Sequence, residues 1–316
     1  MLTEPRTSAD IDRAVADDTR CPICAATETR PLIRQPSGPH LRLQRVFNIQ
    51  QCRECRAAWV LDPPSAEDLA GVYDDHFFET SQQSAPVDER GAFTPAAERA
   101  PIVVNARRRV AELCAACGGG TLLDIGCGKG IFLKLASQHF DVIGVDVSPA
   151  ACRFARDVLR LDVRCGDFLT LDLPPAAFDV ITLWDVLASL PDPRAAVARI
   201  AALLKPGGWL VMTLPDIDTP AFKLARGRWP LLIPPINLVY FSRPAAARLL
   251  RDHGLSLVRY THAGKLLSTN FVLRKLGRIF RIQALDRESV GIPGLRNVYL
   301  NLGDIALVWA RREGAA

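Results

Sequence analysis

The sequence predicts an α/β protein, a doubly wound parallel sheet with a small four-cysteine module ahead of it. Three observations carry this reading. Apolar runs that read as strands alternate with helix-like segments through residues 121–214. One of those runs, Thr121 to Ile125, breaks at Gly126-Cys127-Gly128-Lys129-Gly130 and continues as Ile131-Phe132-Leu133-Lys134-Leu135, a strand turning sharply into a helix. Two Cys-x-x-Cys pairs, Cys21/Cys24 and Cys52/Cys55, stand 27 residues apart.

Composition sets the outer limits. A length of 316 residues allows one full α/β domain plus a smaller one. Hydrophobic residues at 49% and charged residues at 23% describe a globular chain, and no apolar stretch approaches the roughly 20 residues of a membrane span. Residues 1–20 are polar, with Asp10, Asp12, Asp17 and Asp18, and read as a loose tail rather than an export signal, so a cytoplasmic setting is expected. A net charge of +5 gives only a mild preference for anionic partners.

Residues 21–60 are expected to form a zinc ribbon, because two such knuckles can offer four thiolates to one tetrahedral zinc. A turn at Pro36-Ser37-Gly38-Pro39 and a strand-like Leu41 to Ile49 lie between the pairs, with His40 a candidate neighbour of the metal. Disulfide pairing is the rival, disfavoured in a reducing compartment. Residues 61–96 read as a connector or lid, rich in Pro, Asp, Ser and Gln, yet holding the aromatic cluster Tyr73-Asp74-Asp75-His76-Phe77-Phe78. Residues 97–117 are expected to be a helix. Its Cys114 and Cys117 have knuckle spacing but no matching pair, so they read as packing, as do Cys127, Cys152 and Cys165.

The glycine turn is Gly-x-Gly-x-Gly with Asp124 two residues upstream, not the Gly-x-Gly-x-x-Gly of pyrophosphate cofactors. An acidic residue beside the turn suits a cationic ligand, such as a sulfonium amino acid, better than a diphosphate. The next apolar run, Phe140 to Asp146, ends in a carboxylate 20 residues after Gly126, where a ribose diol would be held.

In these residues the chain, from about Ala97 onward, resembles the class I S-adenosylmethionine-dependent methyltransferases. The resemblance implies a Rossmann-like, seven-stranded sheet. Leu255 to Thr261 would be its sixth strand, and Asp304 to Ala310 an antiparallel seventh inserted beside the fifth. It implies that Asp124, Gly126, Cys127, Gly128 and Gly130 surround the methionine part of the cofactor, and that Asp146 and Val147 meet the ribose. Asp167 and Phe168, after Gly166, would meet the adenine, and Trp184 and Asp185, after Phe178 to Leu183, would lie beside the methyl group. Leu204-Lys205-Pro206-Gly207-Gly208 matches a turn before the fifth strand. The knuckles, the Tyr73–Phe78 cluster, Leu190-Pro191-Asp192-Pro193-Arg194 and Tyr240-Phe241-Ser242-Arg243-Pro244 are similar to bacterial small-molecule methyltransferases with an N-terminal zinc module, including those acting on nucleotide-linked sugars. Two positions depart from that pattern. Leu187-Ala188-Ser189 stands where many relatives read Leu-Glu-His, and Asn237 where many carry His, so no general base is carried over.

If the acceptor is a hydroxyl or an activated carbon, a base near neutral pH is needed. His76 is the first candidate, with Tyr73 and Tyr240 behind it; a surface His in a loop is the plainer alternative, and His139 and His253 read as structural or solvated. Asp185 could instead cap the turn that follows it. Phe222, Trp229, Leu232, Ile233, Ile236 and Tyr240 make 219–241 either a lid or core, and 265–300 is expected to be a second lid insertion. Within it, 271–282 sets Arg274, Lys275, Arg278 and Arg281 against Val272, Leu273, Leu276, Ile279 and Phe280, a face for peripheral membrane contact or for packing on the domain. The expected partner is a small-molecule acceptor. The alternatives are an RNA methyltransferase, favoured by Arg30, Arg34, Arg42, Arg45, Arg53 and Arg56 but offering mainly Phe47 and Trp59 to stack bases, and a non-catalytic cofactor-binding protein.

Overall fold

The computed structural model describes residues 20–38, 43–65, 68, 87–88, 91–280, 282 and 296–314. Tyr73, His76 and the whole 73–78 cluster lie outside the described residues, as do 1–19, His40, Arg42, Arg281 and the side chains of Lys275, Arg278, Ile279 and Phe280.

The strands β1 (Thr29–Pro36), β2 (Val46–Cys52) and β3 (Ala58–Val60) come first, followed by helix α1 (Pro101–Cys117). Then alternate β4 (Thr121–Ile125), α2 (Ile131–Ala136), β5 (Asp141–Asp146), α3 (Pro149–Arg153), β6 (Val163–Cys165), β7 (Phe178–Leu183), α4 (Pro193–Leu203) and β8 (Leu204–Pro215). The last third holds α5 (Pro220–Ala225), β9 (Val239–Tyr240), α6 (Arg243–Arg251), β10 (Leu255–His262), β11 (Lys265–Ser268), α7 (Thr269–Phe280), β12 (Asn297–Leu300) and β13 (Ile305–Arg312).

Seven strands form the main sheet in the order β10-β13-β8-β7-β4-β5-β6. Strands β4 to β8 run parallel, and β13 is antiparallel to both its neighbours, β8 and β10, as expected of the sixth and seventh strands. One detail differs. Leu204–Gly208 is not a turn ahead of β8 but a bulge within it, since Leu204 pairs with Phe178 and Trp209 with Val180. Asp179 stands opposite the bulge, and its Oδ2 accepts from Thr121 N (2.9 Å), Thr121 Oγ1 (2.8 Å) and Lys205 Nζ (2.7 Å), tying the starts of three strands together.

The motif prolines mark helix starts. Asp192 caps α4, accepting from Arg194 N at 3.0 Å and Ala195 N at 2.9 Å with Pro193 at the first helical position, and Ser242 caps α6 through Ala245 N at 3.2 Å. One face of the sheet packs against α1 and α2 through Val103, Leu113, Phe132 and Leu133. The opposite face packs against α4 and α6 in a core that runs without a break into the four-cysteine module.

That module shares a sheet with the cap segment. Its order is β1-β2-β3-β9, with Ala58 opposite Tyr240 and Trp59 opposite Val239. Val60 N donates to Leu238 O at 2.9 Å, Arg194 Nη1 to Ile23 O at 2.8 Å, and Arg56 pairs with Asp218 at 2.8 Å. Phe47 and Trp59, the aromatics named for base stacking, are both buried in this core. No helix among the described residues is long and apolar enough to cross a membrane.

Candidate active site and metal centre

A cavity of about 580 Å³ opens at the carboxyl ends of the parallel strands, around β4 and β7, where the strand order reverses. The glycine turn forms its floor. Gly126, Gly128 and Gly130 have φ of +73°, +54° and +79°, a region that favours glycine. At Gly126 a Cβ would also stand 2.4 Å from Val186 Cγ2. Gly126 N and Cys127 N both donate to Val145 O, so the turn is fastened to β5.

Asp146 ends β5 beneath that turn. Its Oδ2 accepts from Gly128 N at 2.8 Å and its Oδ1 from Ser148 N at 2.9 Å, which fixes the carboxylate at the cavity edge. Burial raises its pKa, and the bonds from Ser148 and Gly128 oppose the rise. Val147 is exposed beside it, and Asp167 and Phe168 complete this side.

Asp124 is 2% exposed, and its Oδ1 accepts from Thr182 Oγ1 at 2.7 Å. Burial pushes its pKa up to about 7, against the Thr182 bond and the charge of Arg109. Asp185 is the opposite case. It stands at φ +63°, donates its N–H to Thr213 Oγ1, and receives the Thr213 hydroxyl on Oδ1, each at 2.8 Å. Its Oδ2 lies 2.6 Å from Lys265 Nζ and 3.9 Å from Arg109 Nη2. Burial works to raise its pKa, but Lys265, Arg109 and Thr213 together hold it at about 2. Trp184 sits edge-on to Phe132 at 5.2 Å with the Arg109 guanidinium 4.3 Å over its ring.

Ten of the eleven residues expected around the cofactor line this cavity; Gly130 does not, and stands instead at the start of α2 with φ +79°. Tyr240, expected as a reserve base, does not: it is fully buried, its hydroxyl donates to Asn237 O at 3.1 Å, and burial drives its phenol far above the usual range. Arg109 and Lys265 are the charged cavity side chains on Asp185 that sequence reasoning missed. Asn105 on α1 holds the second in place, exchanging two hydrogen bonds with Leu266 (2.9 and 2.8 Å) so that β11 lies along the cavity. The histidine passed over in the sequence, His262, bonds Asp216 Oδ2 at 2.9 Å beside Tyr260, away from the lining.

The four cysteines converge. Their sulfurs lie within 4.8 Å of one another, with Cys21–Cys55 at 3.5 Å and Cys24–Cys52 at 3.6 Å. Tetrahedral thiolates on zinc stand about 3.8 Å apart, so the donor set fits the ion. Two equivalent turns build it. Cys21 N donates to Ala26 O and Cys52 N to Ala57 O, both at 2.9 Å, and Ala25 and Arg56 take φ of +60° and +63° directly after the second cysteine of each pair.

Residues 99–260, about half the chain, match a family model described as a methyltransferase domain. Over 210 residues the chain is 29% identical to a ubiquinone biosynthesis O-methyltransferase of Thiobacillus denitrificans, covering 62% of this chain and 85% of that protein. The protein of the same name from Chromobacterium violaceum is 30% identical over 146 residues, and the chain spans 44% of its own length and 61% of that relative's. Among solved structures, magnesium protoporphyrin IX methyltransferase of Synechocystis PCC 6803 superposes with a TM-score of 0.51 at 16% identity, covering 79% of this chain and all of that one. The [4+2]-cyclase SpnF superposes at 0.50 and 21% identity, covering 80% and 98%. Both likenesses concern the fold alone, and they span different chemistries.

Proposed function

The chain belongs to the methyltransferase-domain family as a class I S-adenosylmethionine-dependent enzyme, and from that premise we propose that it methylates a hydroxyl of a small, largely apolar acceptor. The observation that carries the acceptor class is the wall facing the glycine turn. Segment 219–241 contributes Leu231, Ile233, Ile236 and Asn237, and segment 265–300 contributes Lys265, Leu266, Leu267 and Phe271. Such a wall excludes water and rewards apolar surface. The names of the two relatives fit an oxygen acceptor.

S-adenosylmethionine, when bound, supplies a methyl carbon activated by its neighbouring sulfonium. In this reading Asp146 holds the ribose hydroxyls, Asp124 the ammonium and Arg109 the carboxylate of the cofactor, while Trp184 and Asp185 border the methyl. The chain's work is then alignment of an in-line displacement and exclusion of water. His76, with Tyr73 behind it, is the proposed acceptor of the hydroxyl proton. The four cysteines would hold one structural zinc, which suits the nine free thiols and a cytoplasmic, reducing setting. A nucleotide-linked sugar is the second reading, favoured by the four-cysteine layout and opposed by the apolar wall.

Calorimetric titration with S-adenosylmethionine and S-adenosylhomocysteine tests the cofactor, with micromolar binding expected. Labelled-methyl turnover on phenols and catechols against nucleotide sugars tests the acceptor. Turnover confined to the sugars would overturn the apolar-acceptor reading.

A further inference from the structure

One cation of the cavity has no task in holding the cofactor. Asp146 and Asp167 fall to the ribose and adenine, Asp124 and Arg109 to the zwitterion of the methionine part, and Lys129 lies against the Phe154 ring. That leaves Lys265 and its partner Asp185.

Their placement is over-determined. Asp185 is pinned by both hydrogen bonds of the Thr213 hydroxyl. Lys265 opens β11, which Asn105 fastens to α1 and which pairs with β12 through Lys265 opposite Leu300. Gly264, just before it, packs so closely on Tyr299 that a Cβ would meet that ring at 2.5 Å, which fixes the approach of the chain. The bond to Asp185 uses one ammonium hydrogen and leaves two, on a side chain that remains 25% exposed and borders the cavity. The same cavity is lined by the apolar Leu231, Ile233, Ile236, Leu266 and Phe271. Arg109, 3.9 Å from Asp185, is balanced by the cofactor carboxylate in this reading, which leaves the remaining hydrogens of the Lys265 ammonium, 2.6 Å from Asp185, to answer an anionic acceptor.

We propose that Lys265 anchors the acceptor and makes the site selective for an apolar body carrying a single carboxylate. The inference rests on the acceptor reading above. Arg109 does not take over this role, because its guanidinium is already spread over Trp184 and is assigned above to the cofactor carboxylate. A partly buried ammonium held in place beside apolar surface gains more from an anion than a mobile surface lysine would, and its removal costs affinity for the charged ligand alone.

The test uses the full chain saturated with S-adenosylhomocysteine, titrated with 4-hydroxybenzoate and with 4-methylphenol, its uncharged counterpart of similar size. The acid should bind about tenfold more tightly in the wild type. Lys265→Met should erase that preference by weakening the acid alone, Lys265→Arg should keep part of it, and S-adenosylhomocysteine affinity should stay within about threefold in both. Equal binding of the two probes, absence of saturable binding by the acid, or a preference that survives Lys265→Met would each overturn the proposal. Failure of S-adenosylhomocysteine to bind the wild type would instead overturn the methyltransferase reading on which it stands.

Discussion

Asp124 offers the sharpest test of how the cofactor end works. Burial lifts its folded pKa from 3.8 to about 7, so in the cofactor-free protein its protonated form is favoured below that pH. A carboxyl raised in this way lends stability that is fully present below its unfolded pKa and is lost as pH rises through the folded value. The cofactor-free protein should therefore unfold more easily as pH climbs from about 5 to about 8. Ligand binding should move the other way, because an ammonium beside Asp124 favours the ionised form and expels the proton. With a midpoint near 7, taking pH from about 7.5 to about 5.5 should weaken S-adenosylhomocysteine binding about 25-fold, or about 1.9 kcal/mol. Titration calorimetry in two buffers of different ionisation enthalpy reads both the affinity and the proton released. Asp146, also raised by burial, adds to the wild-type slope, so Asp124→Asn is the control that isolates Asp124. A flat affinity in the wild type, or an equal slope in Asp124→Asn, would refute the assignment of Asp124 to the ammonium.

Asp146→Ala should act on fold and ligand together. It strands the N–H groups of Gly128 and Ser148, at about 1–3 kcal/mol each, and removes the ribose contact, so denaturant unfolding should shift markedly and S-adenosylhomocysteine binding should weaken by about 100-fold or more. Purified chain should carry about one zinc, lost in the Cys21→Ser/Cys24→Ser double variant. Hydrogen exchange should then speed up at Leu238 to Tyr240, which pair with the module, and not in β4 or β7; unaltered exchange in the metal-free protein would contradict the link between module and cap. Tyr240→Phe should cost about 1 kcal/mol through the bond to Asn237 O and leave turnover intact, whereas a large fall in kcat would return Tyr240 to the chemistry.

The sheet and the glycine floor of the cavity are legible because their signals are local. A strand that ends in Asp124, turns on three glycines and is followed by a strand ending in Asp146 needs no tertiary knowledge to be read. Arg109 carried no such signal. It belongs to the run Arg107-Arg108-Arg109 on an amphipathic helix, and only the rotation of α1 on the sheet turns the third arginine onto Trp184 while Arg107 pairs with Glu98 and Arg108 stacks on Tyr299. Lys265 depends on Asn105, distant in sequence, for its place. Strand β9 was invisible for a related reason: two residues pairing with a strand far upstream leave no periodicity to detect. That pairing also explains Tyr240, whose motif position suggested a pocket while its strand committed it to the core.

The position of β9 bears on what the four-cysteine module is for. Each knuckle is bonded to the first turn of a different helix of the main sheet. Ile23 O receives Arg194 of α4, and Cys55 O receives the hydroxyl of Ser242, the cap of α6, at 2.5 Å. Between them β3 holds β9, and the residues just before β9 are those that line the apolar wall. A single bond of this kind is worth about 1 kcal/mol, but the buried Phe47, Ile49 and Trp59 add apolar surface that a tethered bead would leave in water. Of the arginines that lent the module a basic character, Arg30 is bonded to Gln51, Arg45 to Asp62 and Arg56 to Asp218. With its aromatics inside and half its arginines paired, the module has little left to offer a nucleic acid. Its inner face is spent on the shared core and on β9, the strand that follows the residues of the apolar wall.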